Sequence, residues 1–213
     1  MDKEMQNLTV LILAAGRGER WARASNKVLV YVRGEPLVAR TVRLAKSIFG
    51  VEPVVVAVEK DVVAAAGPGN YIIPEASRWT VETLFSTYSL WRGRTIVLLG
   101  DTYYTKKTLR LIKHTDLPVC YFGRLLEIYA MSFNDPVAVL RLLRDAIRHA
   151  EQNSFPENRP GRLWHTWYRL HGYSMDTHTI PTSGDSSFIC LLDNDITMDI
   201  DTPKDYEELL AKI

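Results

Sequence analysis

The chain has 213 residues, 46% of them apolar, and its 26 basic and 25 acidic side chains leave a formal charge of +1. That length and apolar share support one packed domain, and the near-neutral balance excludes the broad positive field of a nucleic-acid-binding surface. No charged-then-apolar leader opens the sequence and no apolar run reaches the length of a membrane span, so a soluble protein is expected.

The first predicted element is the run "LTVLILA" (8–14), short, continuous and β-branched, which reads as a fully buried strand. A helix over 36–49 follows, with Pro36 suited to its first turn. "PVVVAV" (53–58) predicts a second buried strand, 61–66 a short helix closed by Gly67, and 71–73 a short third strand. A helix over 80–91 has Thr80 as its N-cap, and "TIVLLG" (95–100) is a core strand ending at Gly100-Asp101. This alternation predicts a Rossmann-like three-layer α/β/α fold around a mostly parallel sheet.

The second half is less regular. Strands are predicted over 117–122 and 127–133, a helix over 135–152, and loops through 153–187, where Pro, Gly, Ser, Asn and aromatics concentrate. A strand over 188–192 and a closing helix capped by Thr202 with Pro203 at its first position complete the chain. No linker divides it, so residues 1–213 read as a single domain with an excursion over approximately 123–187. Cys120 and Cys190 both lie in apolar, strand-like stretches, as buried free thiols do in a reducing cytoplasm.

Three stretches carry chemistry. The loop after the first strand holds Gly16 and Gly18 with four cations, Arg17, Arg20, Arg23 and Lys27. Ligands of open parallel sheets bind beyond the carboxyl ends of strands, and glycines there let backbone N–H groups approach phosphate. A solvated surface loop is the plainer alternative. The dinucleotide fingerprint fails at Trp21, and no G-x-x-x-x-G-K-[ST] loop occurs. Asp101 follows a buried strand, where it can hold Mg²⁺ or merely cap a turn. Asp199 and Asp201 alternate on an extended segment, so both carboxylates can share one face, although Asp201 competes as a helix cap.

Leu13-Ala14-Ala15-Gly16-x-Gly18-x-Arg20, then Lys27 and Gly34-x-Pro36-Leu37, resemble the opening of the nucleotidyltransferases that include the MobA-like enzymes and the sugar-phosphate nucleotidylyltransferases. Asn26 stands where that family usually has Pro. The resemblance implies the nucleotide-diphospho-sugar transferase-like fold. It also implies a triphosphate wrapped by Ala14, Ala15, Gly16, Arg17, Gly18, Arg20 and Lys27. Arg20, Lys27 and Asp101 would be catalytic. Asp101, with Asp199 or Asp201, would hold Mg²⁺; Asp199 is favoured because Asp201 has the competing capping role.

The same resemblance assigns Thr80 and Thr83 to the base or ribose, with Trp79 replacing the usual Asn. The acceptor side would fall on Glu127, Trp164, Trp167 and Tyr173 within the excursion, a small acceptor-side lobe. These aromatics suit a sugar platform, a cage for a cationic head group such as phosphocholine, a lobe core or a homodimer contact. His165, His171 and His178 show no metal-like spacing.

The implied reaction is Mg²⁺-dependent transfer of NMP from an NTP to a phosphorylated small molecule, with release of pyrophosphate. A GT-A-type glycosyltransferase and a non-catalytic nucleotide-binding protein of the same fold are the rivals. The former usually carries D-x-D after a mid-chain strand, where this chain reads Gly100-Asp101-Thr102-Tyr103.

Overall fold

The computed structural model describes residues 7–16, 18, 21, 26–124, 127–152 and 195–213, together with the backbone of 188–190. A seven-stranded sheet forms the middle layer. Its strands are β1 (Leu8–Leu13), β4 (Val54–Val56), β5 (Asn70–Ile72), β6 (Arg94–Leu99), β8 (Val119–Arg124), β9 (Glu127–Phe133) and β10 (Phe188–Cys190), in the order β10-β8-β9-β6-β1-β4-β5. All neighbouring pairs run parallel except those of β9, which is antiparallel to both β6 and β8.

Alternation along the central strands feeds two cores. Val10, Ile12, Ile96 and Leu98 face one side, where they meet Leu44, Ala45 and Phe49 of α1 (Leu37–Phe49) and Leu109 and Ile112 of α4 (Lys106–His114). Leu11, Leu13, Val97 and Met131 face the other, against Val81 and Leu84 of α3 (Thr80–Phe85) and Val139, Leu143 and Ala146 of α5 (Pro136–Gln152). Burying each such aliphatic side chain stabilises the fold by about 1.5–3 kcal/mol. The predicted three layers and mostly parallel sheet are therefore present. Short α2 (Lys60–Ala66) packs beside α1, and α6 (Pro203–Lys212) closes the chain. Among the described residues no helix is long and apolar enough to cross a membrane.

Several boundaries differ from expectation. The helix expected over 80–91 stops at Phe85, because the Ser86 and Thr87 hydroxyls donate back to the Glu82 and Leu84 carbonyls, at 3.0 and 2.7 Å. A separate 3-10 turn then covers Tyr88–Leu90. Trp79, not Thr80, is the N-cap of α3. Pro36 stands one residue before α1, in the two-residue strand β3 (Glu35–Pro36), which pairs with β2 (Tyr31–Val32). Helix α4 was not anticipated from the sequence. Residues 123–152 contribute a sheet strand and a packed helix to the main body, whereas 153–187 lie outside the described residues.

Candidate active site

The carboxyl ends of β1 and β6 lie side by side, with Leu13 opposite Leu99. Just beyond them the Gly100 N–H donates to the Leu13 carbonyl at 2.8 Å. A Cβ on Gly100 would stand 2.9 Å from both the Ala14 Cβ and the Leu13 carbonyl oxygen, so only glycine permits this approach. It sets Asp101 against the start of the glycine-arginine loop. Ala14 and Ala15 are buried there, and the Ala14 N–H donates to the Val56 carbonyl at 2.8 Å. Gly16 is exposed, and Gly18 has φ +61°, the left-handed region that favours glycine.

After Asp101 the chain makes β7 (Thr102–Tyr103), which pairs antiparallel with β11 (Met198–Asp199) and sets Asp199 opposite Thr102. The Ile200 N–H donates to the Asp101 carbonyl at 3.0 Å. This small sheet brings the distant acidic segment to the basic loop. Arg40 of α1 supports it from beneath: its guanidinium lies 4.0 Å from the centre of the Tyr103 ring and donates to the Tyr104 carbonyl at 2.7 Å.

Asp195 anchors the approach to β11. Its carboxylate accepts from the Thr197 N–H at 2.7 Å and the Thr105 hydroxyl at 2.8 Å, while Thr105 caps α4. Burial alone would raise the Asp195 pKa, but these hydrogen bonds outweigh it and hold the carboxyl below its ordinary value. Thr202 and Asp205 form a reciprocal capping box at the start of α6, with Pro203 in its first turn as the sequence predicts. The cap is thus Thr202, which removes the reason for preferring Asp199 to Asp201: both side chains enter the cluster.

Oxygens of Asp101, Asp199 and Asp201 all lie within 4.8 Å of one another. The Lys27 ammonium, on a 3-10 turn over Lys27–Leu29, stands 2.6 Å from Asp101 Oδ2 and 2.6 Å from Asp201 Oδ1. Lys27 is only 8% exposed. Burial would lower its pKa, yet the charges of Asp101, Asp199 and Asp201 overcome that and hold it above the ordinary lysine value. The residue Asp199 retains some exposed surface, but its carboxyl lies deep in the protein. Desolvation, then the Asp101 charge, raises its pKa well above the usual carboxylate range in spite of Lys27. One ammonium therefore does not relieve three crowded carboxylates. This hard, all-oxygen donor set fits a divalent cation such as Mg²⁺.

Desolvation, with the charges of Asp201 and Asp205 adding to it, raises the Glu127 pKa above its ordinary value, although its carboxylate accepts from the Tyr129 hydroxyl at 3.0 Å. Thr83 is buried and donates to the Trp79 carbonyl at 3.3 Å, whereas Thr80 is half-buried at the first turn of α3. Arg17, Arg20 and Arg23 of the basic loop, and Trp164, Trp167, Tyr168 and Tyr173 of the excursion, lie outside the described residues. Sequence reasoning missed Asp195 and the side-chain bonding of Asn26; one Asp of a D-N-D run has no pattern that distinguishes an anchor from a turn.

The model of the MobA-like NTP transferase domain matches residues 10–122, just over half of the chain. No curated protein matches it. Among solved structures, CTP:phosphocholine cytidylyltransferase from Streptococcus pneumoniae is 14% identical with TM-score 0.62, covering 97% of this chain and 99% of its own. The inositol-1-phosphate CTP transferase from T. maritima is 15% identical with TM-score 0.63, covering 96% and 95%. A putative glucose-1-phosphate thymidylyltransferase from Bacillus anthracis is 12% identical with TM-score 0.64, covering 96% and 94%. At these identities the likeness is one of fold.

Proposed function

The chain belongs to the MobA-like NTP transferase family and is a nucleotidyltransferase, and from that premise we propose that it moves NMP from an NTP to a phosphorylated small molecule, with Mg²⁺ held at Asp101, Asp199 and Asp201. One observation carries the reading: the Lys27 ammonium, from near the start of the sequence, stands 2.6 Å from both Asp101 and Asp201, and oxygens of Asp101, Asp199 and Asp201, from its middle and far end, lie within 4.8 Å of one another. The acceptor class follows the structural relatives, whose names specify phosphocholine, inositol 1-phosphate and glucose 1-phosphate. Each offers an anionic phosphate. The buried free thiol of Cys120 suits a cytoplasmic setting.

An acceptor of this kind brings its own nucleophile, so no protein base is required. Its phosphate oxygen forms a bond to the α-phosphorus while the bond from that phosphorus to the bridging oxygen breaks, and pyrophosphate departs with the electron pair. Catalysis then rests on alignment and on charge stabilisation. Lys27, with Arg20, neutralises the triphosphate, and the backbone N–H groups of Ala15, Gly16 and Gly18 are further donors for the phosphates. The bound divalent cation would polarise the α-phosphoryl group and offset its charge. Thr80 and Thr83 serve the nucleoside side, and Glu127 serves the acceptor hydroxyls or a cationic head group, with Trp164, Trp167 and Tyr173 completing that side.

The test is pyrophosphate release with Mg²⁺ over a panel of CTP, UTP, GTP, ATP and dTTP against phosphocholine and sugar 1-phosphates. Turnover of one pair is expected. NTP binding with no pyrophosphate from any pair would overturn the proposed acceptor class, and UDP release from a nucleotide sugar would point to a glycosyltransferase.

A further inference from the structure

We propose that Asn26 is a positioning residue that aims Lys27 at the phosphates through its side-chain hydrogen bond to Glu59, an inference that rests on the phosphate-binding role of Lys27 proposed above. Asn26 precedes Lys27 with φ −60° and ψ 138°, as the N-cap of the turn that carries the lysine. Its Oδ1 accepts from the Val28 N–H at 3.2 Å. Its Nδ2 donates to Glu59 Oε1 at 2.9 Å and reaches the Gly16 carbonyl at 3.4 Å. One amide group therefore ties together three segments: the turn of Lys27, the end of the Ala14–Gly16 run, and Glu59, the residue that enters α2.

A helix-capping role explains only one of these bonds. Capping requires an acceptor, and Asp or Ser would supply it as well as Asn. The bond to Glu59 requires a donor, which a carboxylate at position 26 would replace with repulsion. Only an amide of this length serves both partners at once. The two anchors hold the backbone from which Lys27 projects, and the stabilisation that a cation gives a phosphate depends steeply on its placement. A lysine stem has four rotatable carbons, so a fixed origin decides where its ammonium can dwell.

The pair can be inverted to test this. Asn26→Asp keeps the cap but sets two carboxylates against each other. Adding Glu59→Gln restores the bond with its polarity reversed, because Gln Nε2 donates to the new Asp. Binding of inorganic tripolyphosphate, which carries neither base nor acceptor, is measured by calorimetry on the full chain, with thermal melting alongside. N26D is expected to weaken binding about tenfold, the N26D/E59Q double variant to return within about twofold of wild type, and melting temperatures to stay alike. In a Lys27→Met background N26D should have no further effect. Wild-type affinity in N26D, no recovery in the double variant, or an undiminished loss in the K27M background would each overturn the proposal while leaving the enzyme reading intact. Failure of the wild-type chain to bind tripolyphosphate would overturn both.

Discussion

The Lys27 ammonium and the Asp101 carboxylate, 2.6 Å apart, come from separate loops that the buried strands β1 and β6 deliver to the same edge of the sheet. Asp201 shares that ammonium at the same distance. Lys27 therefore acts as the internal counter-ion of an acidic cluster, a role beside the phosphate contact proposed for it.

Replacing Lys27 with Met removes both roles. Turnover should fall by about 10²–10³. Three unrelieved carboxylates should also lower the melting temperature, and Mg²⁺ should restore it in the variant more than in wild type. Mn²⁺ titration followed by electron paramagnetic resonance without nucleotide should show tighter binding, since the competing ammonium is gone. Equal Mn²⁺ affinity in the two proteins would exclude such competition.

Asp101→Asn keeps the size of the side chain and removes its charge. Half-maximal pyrophosphate release is expected to require at least about tenfold more Mg²⁺, with a reduced plateau. An unchanged Mg²⁺ titration would remove Asp101 from the proposed metal site.

Asp195 links stability to pH. Its folded pKa lies below the ordinary value, so the unfolded chain binds the proton first as pH falls. The stabilisation is complete above the ordinary carboxylate pKa of about 4 and is lost as pH drops through the depressed folded value. Asp195→Ala should destabilise the chain by about 1–3 kcal/mol at neutral pH, with the gap from wild type closing below about pH 4. Urea unfolding from pH 3 to pH 7 measures this, and a gap independent of pH would contradict the assignment.

Gly100→Ala forces a methyl group onto backbone that cannot yield without parting β1 from β6. A cost of about 1–3 kcal/mol is expected, together with a loss of turnover greater than the loss of folded protein, because Asp101 moves with the backbone. Full specific activity in the folded fraction would disprove the positioning role of that close approach.

Burial pushes the Cys120 thiol up to about 12. Iodoacetamide at pH 8 should leave it unmodified in the folded chain and alkylate it in urea, as peptide mass spectrometry can follow. Alkylation of the native protein at equal rates would place that thiol at the surface.

The central strands were legible because continuous β-branched runs such as "VLIL" and "IVLL" have few outcomes other than a buried parallel strand. The place of Gly16, Gly18 and Lys27 beyond the end of such a strand was legible from composition. Helix α4, "KKTLRLIKH", was not: its cations outnumber the buried Leu109 and Ile112, so a short element with real helical spacing reads by composition as a charged loop. The pairing of β7 with β11 escaped because each has two residues, too few for a period, and their union depends on contacts 95 and 97 positions apart. The choice between Asp199 and Asp201 could not be read from the sequence either: Thr202 caps the helix with Asp205, as expected, and the Asp201 carboxylate pairs with Lys27.

Strand β9, reversed between β6 and β8, has one further consequence. A strand in this orientation needs no crossover helix to follow its neighbour, so it acts as a seam across the sheet. On one side of the seam lie β1, β4, β5 and β6 with the loops proposed to face the triphosphate; on the other lie β8 and β10, where a change of loop leaves the register of those four strands untouched.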